Sequence, residues 1–348
     1  MSRRRVSAWF PALAFLMVSA LLASCGGDAP AQDAGARAPS GDGPFPVTIE
    51  HKFGTTTIPN EPKRVVAVGY HDHEALLALG VAPVAVRYNY GDHPYGVFPW
   101  AQDELGGATP VVLEMPDGEL DFEAIARLQP DLISAVYSGI TEEEYRTLSR
   151  IAPTLAQTGD YIDFGIPWQE QTRLIGAAVG RSQRAEAVIA ETEARFAEVR
   201  RQHPEFAGKT VILAVMRPDG QVGLLSEQDV RTRTFTSLGF QLPPEIRNLF
   251  GDSFYTFLSS EQLRLLDTAD VVVWHQMEFS PGRAAIAGHP LYATLRVARE
   301  GRHVFLTGTA DDALQFSTVL SLPFLLERLV PQLAAALDGD PATEAATP

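Results

Sequence analysis

The sequence predicts an α/β fold of two lobes with mainly parallel sheets, joined by a single long interlobe helix. Three observations carry this. From Val47 onward, short hydrophobic strand patterns alternate with helical ones, as in parallel sheets covered on both faces. One unit, helix then aspartate then hydrophobic strand, occurs in each half as LDFEAIARLQPDLISAV and LSSEQLRLLDTADVVVW. Between the halves lies the longest helical pattern, SQRAEAVIAETEARFAEVRRQ, from Ser182 to Gln202. Its Ala185, Val188, Ile189, Thr192, Phe196 and Val199 form one apolar stripe, and Glu191 can pair with Arg195 on the polar side. Gly180 stops the preceding helix, Ser182 can serve as N-cap and Pro204 marks the far end. At ~1.5 Å per residue this helix spans about 30 Å, the width of a small domain.

With 348 residues, 45% hydrophobic and 20% charged, the chain has material for two ordinary domains. The formal charge of -15 repels phosphate backbones and argues against nucleic acid as a partner. At the N-terminus, Arg3, Arg4 and Arg5 precede an apolar run from Val6 to Ala23 that ends in Leu22-Ala23-Ser24-Cys25. This resembles a bacterial lipoprotein signal with its lipobox. Cys25 is the single cysteine, so it has no intramolecular disulfide partner, and it stands where a diacylglyceryl thioether would be attached. Residues 1–25 are therefore expected to be leader and lipidation site, and 26–46 a flexible tether poor in large apolar residues. The expected location is the extracytoplasmic face of the cell membrane, with the lipid anchor as the only membrane contact.

The first lobe is expected over 47–181. Arg64–Val68 reads as a buried strand, Asp72 as the cap of a helix through Leu79 that Gly80 stops, and Pro83–Val86 as the next strand. A long loop, RYNYGDHPYGVFPW, follows. Leu120–Gln129, Thr141–Arg150 and Pro167–Val179 read as helices, Asp131–Val136 and Thr154–Gln157 as strands. After the connecting helix (182–203), the second lobe is expected over 204–338. Thr210–Met216, Asp270–Trp274 and His303–Thr307 read as strands, Leu258–Leu266 and Pro290–Val297 as helices, and Gly251–Phe257 as a polar aromatic loop. A last helix from about Ala313 to Leu337 is expected to break at Pro323, and 339–348 to be a disordered tail. Ligands of such sheets sit beyond the carboxyl ends of the strands, where Arg87, Tyr137, Arg217, Trp274 and His275 fall.

The stretches GTTTIPNEPKRVVAVG, EALLALGVAPVAV, LDFEAIARLQPDLI, SQRAEAVIAETEARF and LSSEQLRLLDTADVVV, in this order and together with the lipobox, resemble the substrate-binding proteins of bacterial ABC importers for ferric siderophores, haem and vitamin B12. PWAQDELGG, SGITEEEY, PWQEQTRLIGAAVGR and STVLSLPFLLERLVPQL make the likeness strongest to actinobacterial ferric-siderophore-binding lipoproteins. The resemblance implies two lobes around a ligand, no intrinsic cofactor, an Fe(III)-siderophore complex as cargo, and an ABC permease dimer with its ATPase subunits as partner of a monomer. It also implies that one glutamate per lobe docks on the permease, and the matching positions are Glu123 and Glu261. The strand-end argument selects Arg87, Tyr88, Tyr90, Tyr137, Arg217 and Trp274 as ligand contacts, with Trp100, Arg231, Arg233 and Tyr255 behind them. Arginine pairs with hydroxamate, catecholate or carboxylate oxygens, and aromatic rings pack on the organic shell.

His71, Asp72 and His73, with His93 or His275, invite a direct metal site, but loop polarity and helix capping account for them more simply, and no metal site is assigned. Haem, cobalamin or metal-ion binding on the same fold stays open as an alternative. So does an extracellular siderophore-processing hydrolase, although no GxSxG, P-loop or HExxH stretch occurs.

Overall fold

A computed structural model describes residues 45–115, 119–251, 253–276 and 280–343. The expected leader, Cys25, nearly all of the tether and the last residues of the tail lie outside them. Among the described residues no helix is long and apolar enough to cross a membrane.

The first lobe opens with a hairpin absent from the sequence reading, β1 (Val47–His51) and β2 (Gly54–Ile58), whose inward residues alternate with outward ones as a half-buried antiparallel pair requires. Next come β3 (Val65–Ala67), α1 (Asp72–Ala78), β4 (Ala85–Arg87), β5 (Val111–Leu113), α2 (Phe122–Arg127), β6 (Leu132–Ala135), α3 (Glu142–Leu148), β7 (Thr154–Ala156) and α4 (Trp168–Ala178). Strands β3 to β7 form one wholly parallel sheet in the order β5-β4-β3-β6-β7. Helices cover both faces, so β3, β4, β6 and β7 are buried throughout and read as unbroken apolar runs. Only β5, at the edge, keeps an exposed residue, and its short, half-exposed run gave no strand signal.

Helix α5 runs from Ser182 to Gln202, with Arg181 rather than Ser182 at the N-cap position because Ser182 is already helical. Its buried residues are Ala185, Val188, Ile189, Thr192 and Phe196. Ala185 joins the apolar core of the first lobe, while Val188, Ile189 and Phe196 join that of the second. One stripe thus serves two cores.

The second lobe contains β8 (Val211–Met216), β9 (Val222–Leu225), α6 (Val230–Ser237), α7 (Pro244–Arg247), β10 (Tyr255–Leu258), β11 (Val271–Trp274), α8 (Arg283–Ala287), α9 (Arg296–Arg299), β12 (His303–Phe305), α10 (Gly308–Phe316) and α11 (Ser321–Asp338). The sheet order is β10-β9-β8-β11-β12, parallel across β8, β11 and β12 and antiparallel across β8, β9 and β10. The expected aromatic loop is therefore partly a strand, because Tyr255 and Phe257 alternate with Thr256 and Leu258 along β10. The glutamate-bearing turn is a 3-10 helix, Ser260–Thr268, rather than an α-helix. The expected helix over Pro290–Val297 is a 3-10 turn (Tyr292–Thr294) followed by the short α9. The break in the last helix falls at Ser317, whose φ is 46°, and not at Pro323, which occupies the first turn of α11 where a missing N–H costs nothing. Past Asp338 the chain is not featureless, since the Thr343 amide donates to the Asp340 carbonyl at 3.0 Å.

The segment between α10 and α11 ties this lobe back to the first. Phe316 inserts among first-lobe rings, 4.4 Å from Phe98, 5.6 Å from Trp100 and 5.9 Å from His71 between centroids. The Thr318 hydroxyl donates to the Glu74 carboxylate, which also accepts from Trp100 Nε1 at 2.9 Å.

Candidate ligand-binding cleft

The turn after β3 sets the first-lobe wall. Asp72 does not cap α1. It is the first residue of the helix, and its carboxylate faces sideways to the end of β6. There it accepts from Ser134 Oγ (2.7 Å), the Val136 and Tyr137 amides (2.8 and 3.0 Å) and Gln171 Nε2 (2.9 Å). Burial alone raises the Asp72 pKa, and these four donors oppose that rise. The approach is so close that a Cβ on Gly69 would stand 2.3 Å from the carboxylate carbon, so only glycine fits there. This clamp fixes Tyr137, whose ring lies 3.9 Å from His71 and 5.3 Å from Phe164. Tyr137 is nearly buried, and its pKa is pushed up by burial and then by Asp229 of the other lobe.

On the second-lobe side a cavity of about 410 Å³ is lined by Arg217, Arg231, Phe254, Tyr255, Phe257, His275 and Gln276 above a floor of Val215, Gly223, Leu224 and Leu225. Its size is that of a small-molecule site. The two lobes meet beside it: Phe164 faces Phe254 at 6.3 Å, and Arg233 Nη1 donates to the Gly165 carbonyl. Arg217 lies over the Phe257 ring at 5.1 Å and makes no ion pair among the described residues. Arg231, by contrast, is matched by Asp229, with Nε to Oδ1 at 2.7 Å and Nη2 to Oδ2 at 2.6 Å. Burial would lower the Arg231 pKa, but the Asp229 charge outweighs it and holds the guanidinium protonated.

This ion pair orients the rest of the wall. Arg231 Nη1 donates to Gln315 Oε1 at 2.8 Å, and an arginine can only donate, so the Gln315 amide nitrogen must face the other way. That nitrogen donates to His275 Nδ1 at 3.1 Å and to Asp311 Oδ1 at 3.2 Å. His275 Nδ1 is consequently an acceptor, and the proton of the neutral ring sits on Nε2. Burial, and then the Arg231 charge, hold His275 well below its ordinary pKa, so it stays neutral. The neutral His275 ring lines the cavity, while its Nε2 is itself buried and has no hydrogen-bond partner among the described residues.

The residues expected at the cleft separate into groups. Arg217, Arg231 and Tyr255 share the cavity, and Tyr137 stands near it across the lobes. Arg87 is buried, donating to the Val68 carbonyl at 3.4 Å and Tyr70 Oη at 2.9 Å, with its guanidinium 3.9 Å from the Tyr70 ring centroid; burial lowers its pKa. Tyr88 is on the surface, and Tyr90 packs on Phe98 and Phe316. Trp100 is occupied by Glu74, and Arg233 faces a separate groove beside Trp168. Trp274 is a correction: it has no exposed surface, lies in the core with Ile212, Ala214 and Val272, and donates from Nε1 to Tyr292 Oη at 3.0 Å. Strand alternation turns Trp274 inward and delivers the next residue, His275, to the cavity. Phe254, Phe257, His275 and Gln276 were not selected from sequence; the period-2 pattern of Tyr255 and Phe257 and the parity of β11 could have found Phe257 and His275.

No three His, Cys, Asp or Glu side chains among the described residues are grouped to hold a metal ion. His71 and His73 are buried against aromatic rings, and burial brings their pKa values down to about 3 and about 4. Glu123 is exposed in the first turn of α2, where Asp121 rather than Glu123 caps the helix, and reaches Arg127 only at 3.8 Å. Glu261 is likewise exposed, with Ser259 and Gln262 forming the capping box around it.

The profile of the periplasmic binding protein family matches residues 65–310. The chain belongs to that family. Among solved structures, a periplasmic solute binding protein from Mycobacterium smegmatis is 36% identical, with a TM-score of 0.74 over 84% of this chain and 99% of its own. The Streptococcus pneumoniae protein PiaA, in complex with ferrichrome, is 28% identical with a TM-score of 0.74 over 84% and 99%. The probable siderophore-binding lipoprotein YfiY of Bacillus subtilis is 30% identical over 205 residues, which are 58% of this chain and 59% of that relative's length. The family and these relatives are binding proteins, not enzymes.

Proposed function

We propose that the protein is the extracytoplasmic substrate-binding lipoprotein of an ABC importer, anchored through Cys25 and capturing a ferric siderophore between its lobes. The observation that carries this reading is the cavity itself. It combines Arg217, free of any ion pair among the described residues, with three aromatic rings, Phe254, Tyr255 and Phe257. Iron-binding oxygens that carry negative charge would meet the Arg217 guanidinium, and the organic shell would pack on the rings. Tyr137 and Phe164 of the first lobe would close the other side. The ferrichrome held by the pneumococcal protein and the probable siderophore-binding role of the Bacillus relative support iron complexes as the ligand class.

Release to an ABC permease dimer would use Glu123 and Glu261, which are exposed, one on each lobe, and not consumed by capping. The decisive experiment is tryptophan emission of the purified protein during titration with ferric siderophores and their iron-free forms. Saturable quenching by a ferric complex alone supports the reading. Binding of haem or cobalamin instead, or of none of these, overturns it.

A further inference from the structure

A second cavity, of about 380 Å³, lies on the outer edge of the second lobe between β12, the start of α10 and α11. Arg283, His303, Thr307, Thr309, Arg328 and Gln332 supply its polar lining, and no carboxylate lines it among the described residues. In a chain of net charge -15 this is a local inversion of sign.

Its histidine is oriented from behind. Trp274 Nε1 can only donate, and it does so to Tyr292 Oη at 3.0 Å, so the tyrosine's own proton is directed to His303 Nδ1, also at 3.0 Å. The proton of the neutral His303 ring must then sit on Nε2, the nitrogen turned away from Tyr292, on a ring that lines the cavity. Burial, then the Arg283 charge, bring the His303 pKa down to about 4, which keeps the ring in this neutral donor form. Arg283 lies 5.3 Å from the Phe305 ring centroid and makes no ion pair among the described residues. Arg328 lies over the Phe324 ring, 3.4 Å from its centroid, donates from Nη1 to the Phe324 carbonyl at 3.0 Å, and reaches Glu327 only at 3.8 Å.

We propose that this cavity binds a phosphate group, as a free phosphate or a phosphodiester head group, on Arg283, Arg328 and the His303 Nε2–H. Donors from three elements, β12, α8 and α11, line one cavity, and between them they can meet the several oxygens of a tetrahedral oxyanion. The cavity exceeds the size of one phosphate, leaving space for an organic remainder beside Phe305.

Calorimetric titration of the purified protein with sodium phosphate, and separately with dihexanoylphosphatidylglycerol below its micelle concentration, tests this. Acetate serves as the control. Saturable binding of inorganic phosphate supports a free-phosphate site, and binding of the short-chain lipid alone supports a head-group site. Arg283 is exposed, so Arg283→Gln should leave the fold intact and weaken binding roughly tenfold, as loss of a charge-assisted hydrogen bond does. In long-range 1H–15N spectra, the Nε2–H of His303 should persist and its titration midpoint should move up when phosphate is added. Absence of binding to both probes, equal affinity for acetate, or unchanged affinity in Arg283→Gln overturns the proposal.

Discussion

The two lobes spend their strand-end polar groups differently. In the first lobe they are committed inward: Asp72 takes four donors and the buried Arg87 caps Val68 and Tyr70. In the second lobe the same positions leave Arg217, without an ion pair among the described residues, lining a cavity. The contrast follows from topology. A wholly parallel sheet with both faces covered has few places for a side chain to remain accessible, whereas the antiparallel β9 and β10 extend a wall past the helices and expose Tyr255 and Phe257. If the cavity is the ligand site, the first lobe is the anvil and the second carries the selectivity.

The largest effect expected within the second lobe separates its core from its cavity. Trp274→Ala should lower unfolding free energy by about 3–5 kcal/mol in denaturant titration, the usual cost for a fully buried aromatic ring. The folded fraction should still bind ligand; loss of binding without loss of stability would return Trp274 to the site.

Next is Glu74, whose carboxyl is pushed up to about 7 by burial, against the hydrogen bonds from Thr318 and Trp100. A carboxyl whose folded pKa exceeds its unfolded value stabilises most at low pH, and this contribution fades as pH rises through the folded value. The buried histidines titrate in the opposite sense around and below pH 6.5, so the comparison with Glu74→Gln, in which they cancel, is made from pH 6.5 to 8. There the parent should lose roughly 0.8 kcal/mol of stability that Glu74→Gln retains. Parallel pH profiles for the two proteins would remove Glu74 as an interlobe proton-sensitive group.

A sharper test of the contrast pairs two arginines. Arg217→Ala should weaken ferric-siderophore binding roughly tenfold with little change in stability. Arg87→Ala should do the reverse, destabilising by about 1–3 kcal/mol because buried acceptors lose their donor. Equal affinity losses in both would erase the division of labour. The smallest effect on affinity is expected for Glu123→Lys combined with Glu261→Lys, which should leave binding unchanged while abolishing uptake in a reconstituted importer. Intact uptake would dismiss these glutamates as docking points.

Much of the architecture was legible because it rests on periodicity. The long stripe from Ala185 to Phe196 and the buried runs VVAV and DLISAV have one sensible reading each. What escaped was short or depended on parity. Strand β5 is three residues at an edge, and β10 was hidden by its polar neighbours. At the cavity, sequence placed the right strands but could not say which of two adjacent residues, Trp274 or His275, faces out. The orientation of His275 is set by Gln315, 40 positions away in sequence, and no local pattern announces such a contact.

The contact between Thr318 and Glu74 joins residues 244 positions apart. Emergence of the chain therefore sets an order of events. Until α10 and α11 have been made, the pocket for Phe316 stands open and the Glu74 carboxylate lacks its partner from the far end. The first lobe can collapse early but cannot reach its final packing, and during that interval its apolar seam is available to whatever factors attend newly made chains.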